Sequence, residues 1–446
     1  MRIHFIAIGG AVMHNLAIAL KKKGYEVSGS DDEIFEPSRS RLAKYGLLPA
    51  SDGWDPGRVD GKDAIILGMH ARADNPELLR ARAHGMKIYS FPEYLYEQTK
   101  DKLRVVIAGS HGKTTITAMV MHVLKYHGVL FDYMVGSALE GFETMTGLSE
   151  ESKIAVFEGD EYLSSPLDPR PKFHLYRPHI AVITGISWDH MNVFPAETDY
   201  INQFRIFLEK IETGGTLFWF AEDEILRGLV NGTSNSVQSI SYSTQPFTLR
   251  EGMCYLISEN NNLPVQVFGV HNMQNISAAR KVCARLGISD QAFYEAIGTF
   301  KGTQKRLQVL RDDPCFTVYL DFAHAPSKVL ATVKAVRDRY PDRELIALLE
   351  LHTFSSLNVD FLPRYRGTLD LADIAVVYYN PHVIEHKKLS PLDPAQVRQC
   401  FGREDLEVYT SSIEIMKLIQ SLERQDKALL IMSSGNFDGI DFEKLV

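Results

Sequence analysis

Short apolar runs alternate along this chain with stretches in which apolar residues recur every third or fourth position. Ile3–Ile8 is such a run, stopped by Gly9-Gly10-Ala11. Val12–Lys23 then spaces Val12, Leu16, Ala19 and Leu20 as one helix face, and Gly24 ends it. Tyr25–Ser28 and Ala64–Leu67 read as further strands, so strand–helix–strand logic predicts a parallel sheet in the first hundred residues. The rhythm restarts with a strand at Leu103–Ala108, a glycine turn and a helix over Ile116–Tyr126, and Ile154–Phe157 and Ile180–Ile183 follow as strands. Residues 211–270 are rich in Gly, Asn, Ser and Thr and predict short strands and turns. After the hinge-like Lys301-Gly302-Thr303-Gln304-Lys305-Arg306, a third block places strands at Phe316–Leu320, Leu345–Leu349, Ile374–Val377 and Ala428–Met432. The expectation is an α/β protein of three domains, at residues 1–102, 103–305 and 306–446.

Composition narrows the class. The 446 residues exceed one ordinary core and suggest roughly two to four domains. A net charge of -8 argues against general binding to nucleic acid or anionic membrane, so anionic ligands require local sites. No apolar run is long enough to span a bilayer, and the first is too short for a secretion signal. Cys254, Cys283, Cys315 and Cys400 are scattered without a C-x-x-C pair, which predicts reduced thiols, no structural zinc and a cytoplasmic protein.

Ala108-Gly109-Ser110-His111-Gly112-Lys113-Thr114-Thr115 lies between a predicted strand and a predicted helix, the context of a phosphate-binding loop. Backbone N–H groups and the helix dipole favour phosphate there, Lys113 can reach the β- and γ-phosphates, and the Thr114 hydroxyl can ligate magnesium. The general pattern would put its first glycine at Ile107. Gly9-Gly10-Ala11 is only a partial dinucleotide fingerprint, with Ala7 and Val12 at two of its glycines. It reads equally as a nucleotide site or as a plain turn. Glu158 in Phe157-Glu158-Gly159-Asp160-Glu161, and His190 in Trp188-Asp189-His190-Met191, fall after predicted strands, where open α/β sheets bind ligands. Magnesium suits the carboxylate better than the imidazole. Taken singly, Glu158 reads as well as a solvated loop acid, Arg306 as a surface arginine, and Asp321 and His324 as helix-capping groups.

In this order the segments resemble the Mur ligase family. Gly109–Thr115 is similar to its ATP loop, Glu158-Gly159-Asp160-Glu161-Tyr162 and Asp189-His190 to its metal motifs, His271-Asn272-Met273-Gln274-Asn275 to its adenine motif, and Asp321-Phe322-Ala323-His324-Ala325-Pro326 to its third-domain motif. Ile8-Gly9-Gly10, Gly29-Ser30-Asp31 and Ser433–Ile440 extend the likeness to both ends. The resemblance implies a Rossmann-like N-terminal domain holding a UDP-sugar at Gly9, Gly10, Ala11, Asp31 and His70, a central P-loop ATPase domain, and a Rossmann-like C-terminal domain for an amine substrate near His324 and His352. ATP would lie on Gly109, Ser110, His111, Gly112, Lys113, Thr114 and Thr115, with His271, Asn272 and Asn275 on the adenine side and Asp321 at the ribose. Mg2+ would take Thr114, Glu158 and His190, while Arg306 would neutralise the transferring phosphate.

The implied reaction is ATP-dependent coupling of an amine to UDP-N-acetylmuramate through an acyl phosphate. Two branches of the family differ in the amine. Asp168-Pro169-Arg170-Pro171-Lys172-Phe173 resembles the branch that adds the tripeptide L-alanyl-γ-D-glutamyl-meso-diaminopimelate during peptidoglycan recycling; the alternative adds L-alanine in biosynthesis. The chain departs from the family at Gly159, usually Ala, at Leu163-Ser164-Ser165, where a further acid is usual, and at Ala325, usually a second His. His352 stands where relatives carry an arginine near the amine. No lysine suited to carbamoylation is evident after His190, where Gln203, Phe204 and Arg205 stand. Rival readings are a folylpolyglutamate-synthetase-like ligase, opposed by the N-terminal block, a NAD-dependent oxidoreductase, opposed by the broken glycine pattern, and a non-catalytic nucleotide-binding protein.

Overall fold

The computed structural model describes residues 1–188, 191, 193–233, 236–258 and 262–446. The chain forms two compact units, one of Met1–Ile186, Ile201–Tyr242 and Ala278–Phe293, the other of Ser187–Tyr200, Ser243–Ser277 and Tyr294–Val446.

The first unit holds two parallel sheets. Strands β1 (Arg2–Ile6), β2 (Glu26–Ser30), β3 (Ala64–Leu67) and β4 (Ile88–Ser90) lie in the order β2-β1-β3-β4, all parallel. Strand β1 stops at Ile6, two residues short of the apolar run, because Ala7 turns to φ 67 and both Ala7 and Ile8 donate to Ser30 O. Ile6, Ile65, Leu67 and Leu78 close the core on one face. The second sheet is built from β5 (Leu103–Ala108), β6 (Phe131–Met134), β7 (Thr146–Gly147), β8 (Ile154–Glu158), β11 (Ile180–Ile183), β12 (Thr216–Phe220) and β13 (Gln238–Tyr242). Its order is β13-β12-β11-β5-β8-β6-β7, and only β7 runs antiparallel. Chain order reverses beside β5, the type of position where open sheets bind ligands. A short antiparallel hairpin, β9 (Leu163–Ser165) with β10 (Asp168–Pro171), follows β8. The central strands are apolar throughout because both of their faces are covered, and Val105, Val106, Ile107 and Ala108 are wholly buried.

The second unit contains a small antiparallel sheet of β14 (Phe247–Arg250), β15 (Met253–Ile257) and β16 (Asn262–Val265). Its main sheet has the order β17-β18-β22-β19-β20-β21, from β17 (Gln308–Asp312), β18 (Phe316–Asp321), β19 (Glu344–Leu351), β20 (Ile374–Tyr379), β21 (Glu407–Tyr409) and β22 (Lys427–Met432). Only β17 is antiparallel. Val318, Leu348, Ile431 and Phe437 anchor its core. The predicted strands Ala64–Leu67, Leu103–Ala108 and Ile180–Ile183 are reproduced to the residue, and the other predicted strands are found with ends shifted by a residue or a few. The stretch read as strands and turns also contains the helix Glu224–Gly232, capped by Asp223, whose carboxylate accepts from Leu226 N at 2.8 Å. The four cysteines are free. Among the described residues no helix is long and apolar enough to cross a membrane.

Candidate active site

The phosphate loop is moulded by its neighbours. Strand β5 ends at Ala108, Gly109 takes φ +116, and Gly112 takes φ +72 at the start of the helix Lys113–Tyr126. A Cβ on Gly109 would collide with Thr184 Oγ1 and stand 2.6 Å from Thr184 N, so only glycine fits. Ser110 N donates to Gly185 O at 3.0 Å, and the Thr184 hydroxyl donates to His111 O. The residue after β11 thus grips the loop. Ile107, at the place of the general pattern's first glycine, is a buried β5 residue opposite Val182 and Glu158 and belongs to the strand. The helix has no side-chain cap, so its first N–H groups face the loop as an anion-binding surface.

Around the loop stands an acidic cluster. Lys113 Nζ donates to Gly109 O at 2.7 Å and lies 2.7 Å from Glu161 Oε2. Burial disfavours its charge, but the carboxylates of Glu161, Asp160 and Glu158, Glu161 foremost, together offset that and raise the Lys113 pKa. Thr114 Oγ1 donates to Glu158 Oε1 at 2.8 Å, and Gly136 N donates to Glu158 Oε2 at 2.7 Å. Glu158 sits at the end of β8, where burial pushes its carboxyl above the usual range against the pull of Lys113. Asp160 is half-buried; desolvation pushes its carboxyl up, but Lys172 Nζ at 2.5 Å outweighs that and holds its pKa below the usual value. A Cβ at Gly159 would stand 3.0 Å from Val106 and 3.1 Å from Ala108, so the glycine lies tight against β5.

Thr114 and Glu158 offer magnesium a hydroxyl and a carboxylate, hard oxygen donors beside the loop that would carry the phosphates. Among the described residues no three acids, histidines or cysteines gather into a closed cage. The third expected ligand, His190, lies outside the described residues.

In the first sheet, Gly9 N donates to Asp31 Oδ2 at 2.7 Å, which joins the turn before the helix Ala11–Lys22 to the end of β2. Burial pushes the Asp31 carboxyl up to about 7, with the Gly9 N–H pulling it down and Asp32 pushing it further up. Gly10 precedes the first helical residue, Ala11, and His70 is exposed just after β3. All five expected sugar-nucleotide residues therefore follow the C-terminal ends of parallel strands.

In the second unit, His271, Asn272 and Asn275 open the helix Val270–Arg285. Asn275 Nδ2 donates to Asn272 Oδ1 at 3.2 Å, and Asn272 Nδ2 donates to Phe268 O at 2.9 Å. Burial lowers the pKa of His271, with Asp321 opposing. Asp321 accepts from Leu307 N at 2.7 Å and from Ala323 N at 2.6 Å. The N-cap of the helix Pro326–Arg339 is Ala325, which makes no side-chain cap bond. Asp321 braces the turn after β18, and His324 Nδ1 lies 2.8 Å from Phe322 O. The Arg306 guanidinium stacks 4.6 Å from the Phe322 ring centre. His352 Nδ1 lies 3.7 Å from Glu350, which is buried and accepts from Phe437 N and the Ser433 hydroxyl. A Cβ on Gly435 would stand 2.8 Å from both Glu350 and His352, so the loop after β22 is pressed onto them.

Sequence reasoning gave no role to Glu161, Gly136, Thr184, Lys172 or Glu350. Glu161 was within reach, three residues past Glu158 in the same acidic run. The others act through folding that brings distant segments together.

Two family models match the chain, the Mur ligase family catalytic domain over residues 2–102 and the Mur ligase middle domain over residues 107–283. A UDP-N-acetylmuramate–L-alanine ligase of Burkholderia multivorans is 32% identical over 399 residues, covering 84% of this chain and 83% of that one. A murein peptide ligase of Psychrobacter arcticus has the same fold, with a TM-score of 0.69, 22% identity, and coverage of 99% and 97% of the two chains. So does a UDP-N-acetylmuramate–alanine ligase of Thermotoga maritima, with a TM-score of 0.73, 22% identity, and coverage of 98% and 96%. By these matches the chain belongs to the Mur ligase family, and it is an ATP-dependent ligase that forms carbon–nitrogen bonds.

Proposed function

We propose that this ligase joins the amino group of L-alanyl-γ-D-glutamyl-meso-diaminopimelate to the carboxylate of UDP-N-acetylmuramate in peptidoglycan recycling. A carboxylate is a poor acyl donor. Its oxygen would attack the γ-phosphorus of ATP, ADP would leave, and an acyl phosphate would result. The peptide nitrogen would then attack the acyl carbon, lose a proton, and expel phosphate. Such chemistry needs positioning and charge neutralisation more than covalent help from the protein. Lys113, on the loop and against Glu161, supplies charge at the phosphates. Magnesium held by Thr114, Glu158 and His190 would neutralise the β- and γ-phosphate oxygens. His271, Asn272, Asn275 and Asp321 take the adenosine, Arg306 the transferring phosphate, and His324 and His352 the amine. Residues 1–102 serve the UDP-sugar, 103–305 the ATP and 306–446 the amine. ATP and a UDP-linked sugar as co-substrates support a cytoplasmic reaction.

The observation that carries the choice of tripeptide is the hairpin β9–β10. It brings Lys172 of the Asp168–Phe173 segment onto Asp160, inside the acidic cluster, while Arg170 pairs with Asp168 at 2.7 Å. A segment that resembles the tripeptide branch is thus built into the site. The murein peptide ligase and the alanine ligase with this fold are both 22% identical to the chain, so the choice rests on the hairpin. A second reading, L-alanine as the amine, is favoured by the name of the 32%-identical relative.

The test is phosphate release from ATP and magnesium with UDP-N-acetylmuramate and either amine. Release dependent on the tripeptide supports the proposal. Release dependent on L-alanine moves the chain to the biosynthetic branch, and release with neither overturns both readings.

A further inference from the structure

Away from the strand ends that carry the turn residues, the first sheet has a cavity of about 300 Å³ at its β2 edge. His4 and Ser28, neighbours in mid-strand on β1 and β2, form its floor, Pro49 and Ala50 a wall, and Arg58 and Lys62 contribute two cations. The floor is polar and ordered. His4 Nδ1 lies 3.0 Å from Ser28 Oγ, and its Nε2 lies 3.2 Å from Glu77 Oε2 on the buried side.

Among the described residues neither cation forms an ion pair with an acid. Arg58 is fastened by neutral oxygens, Nη1 donating to Gly53 O and Nη2 to Ser51 Oγ, each at 2.9 Å. The acids near it in sequence are engaged elsewhere. Asp60 makes a two-pronged pair with Arg80 at 2.7 Å, Asp63 pairs with Arg2 at 3.3 Å, and Asp55 accepts from Gly57 N at 2.9 Å. In a chain of net charge -8, a concave surface with two uncompensated cations, one already oriented by its own hydrogen bonds, is built for an anion. Its volume is that of about ten waters, enough for a small molecule and too little for a UDP-sugar.

We propose that this cavity is a binding site for a small oxyanion, a phosphate or carboxylate group held by Arg58 and Lys62 over Ser28. It is separate from both nucleotide turns, and the fold gives it a route to one of them. Gly53, which holds Arg58 through its carbonyl, donates its N–H to Asp31 O at 2.7 Å, and the Asp31 carboxylate accepts from Gly9 N at 2.7 Å. An anion that draws on Arg58 therefore pulls on a chain of hydrogen bonds ending at the first βα turn, and sugar-nucleotide affinity is coupled to its occupancy.

The experiment is calorimetric titration of the full chain with inorganic phosphate, and in parallel with acetate, after saturation with UDP and with magnesium and a non-hydrolysable ATP analogue. Saturable phosphate binding that weakens by about tenfold or more in Arg58→Met and in Lys62→Met supports the site. An acetate response with the same dependence assigns oxyanions in general, and its absence assigns phosphate. Lys62→Met keeps the test valid if Arg58→Met loosens its loop, and circular dichroism checks both variants for folding. No saturable binding overturns the proposal, as does binding unchanged in the folded variants, which would mark an adventitious ion only.

Discussion

The turn after β1 and the turn after β5 both carry the chain from a buried parallel strand into a helix, and neither helix has a side-chain cap. Their backbones offer the same device, a helix N-terminus ready for an anion. Their side chains do not. The first turn bends at Ala7 and binds an acid, Asp31, through Gly9 N. The second bends at Gly109 and Gly112 and brings in a cation, Lys113, with Glu161 beside it. Asp31, held near 7 by burial, can exchange hydrogen bonds with hydroxyls or imides and repels close phosphate once ionised. Lys113 is suited to a polyphosphate. Under the proposed function, one fold motif would serve two nucleotides through a different charge set beside each turn.

The largest expected effect is at the second turn. Lys113→Ala should lower kcat for phosphate release by about 100- to 1000-fold, and a loss under about tenfold would show that the two turns do not divide the work in this way. Next comes Glu158→Gln, expected to cost about 100-fold in turnover while raising the melting temperature of the unliganded protein at neutral pH. The sign follows from the raised Glu158 pKa. The protonated carboxyl stabilises the fold below its unfolded pKa, and that stability is lost as pH rises through the folded value. The gain from Gln should therefore grow with pH and vanish in acid, and a melting difference equal at every pH would refute the cause. Asp31→Asn should have the smallest effect, raising KM for the sugar nucleotide by about three- to tenfold and sparing KM for ATP. Stability from Asp31 is likewise lost as pH rises through about 7, so the Asn variant should flatten the melting profile there. An unchanged profile would mean that Asp31 is not held near neutrality.

Legibility in the sequence tracked how local each feature is. Gly109–Thr115 is a consecutive run between a strand and a helix, so the loop and its helix were readable. The parallel strands were readable because burial on both faces makes them continuously apolar. Thr184 was not, since its grip on His111 exists only once β11 lies beside β5. Lys172 finds Asp160 only through a hairpin that two prolines, Pro169 and Pro171, disguise as coil. The helix Glu224–Gly232 hid behind Gly228, Asn231 and Gly232, whose poor helix propensity is overridden by the Asp223 cap and by burial of Leu226. Glu350 lies just past the predicted strand Leu345–Leu349, and its grip on Ser433 and Phe437 joins segments more than eighty residues apart.

The pairing of Lys113 with Glu161 also bears on how this enzyme would be inhibited. An incoming triphosphate meets an ammonium already shared with a carboxylate, so its arrival exchanges one ion pair for another. Ionic strength should then weaken ATP affinity less than the number of phosphates suggests, because little new charge is brought together. A competitor without phosphates need not replace that charge at all. A neutral acceptor that takes hydrogen bonds from the loop N–H groups, and leaves Lys113 with Glu161, would occupy the loop without breaking a buried ion pair.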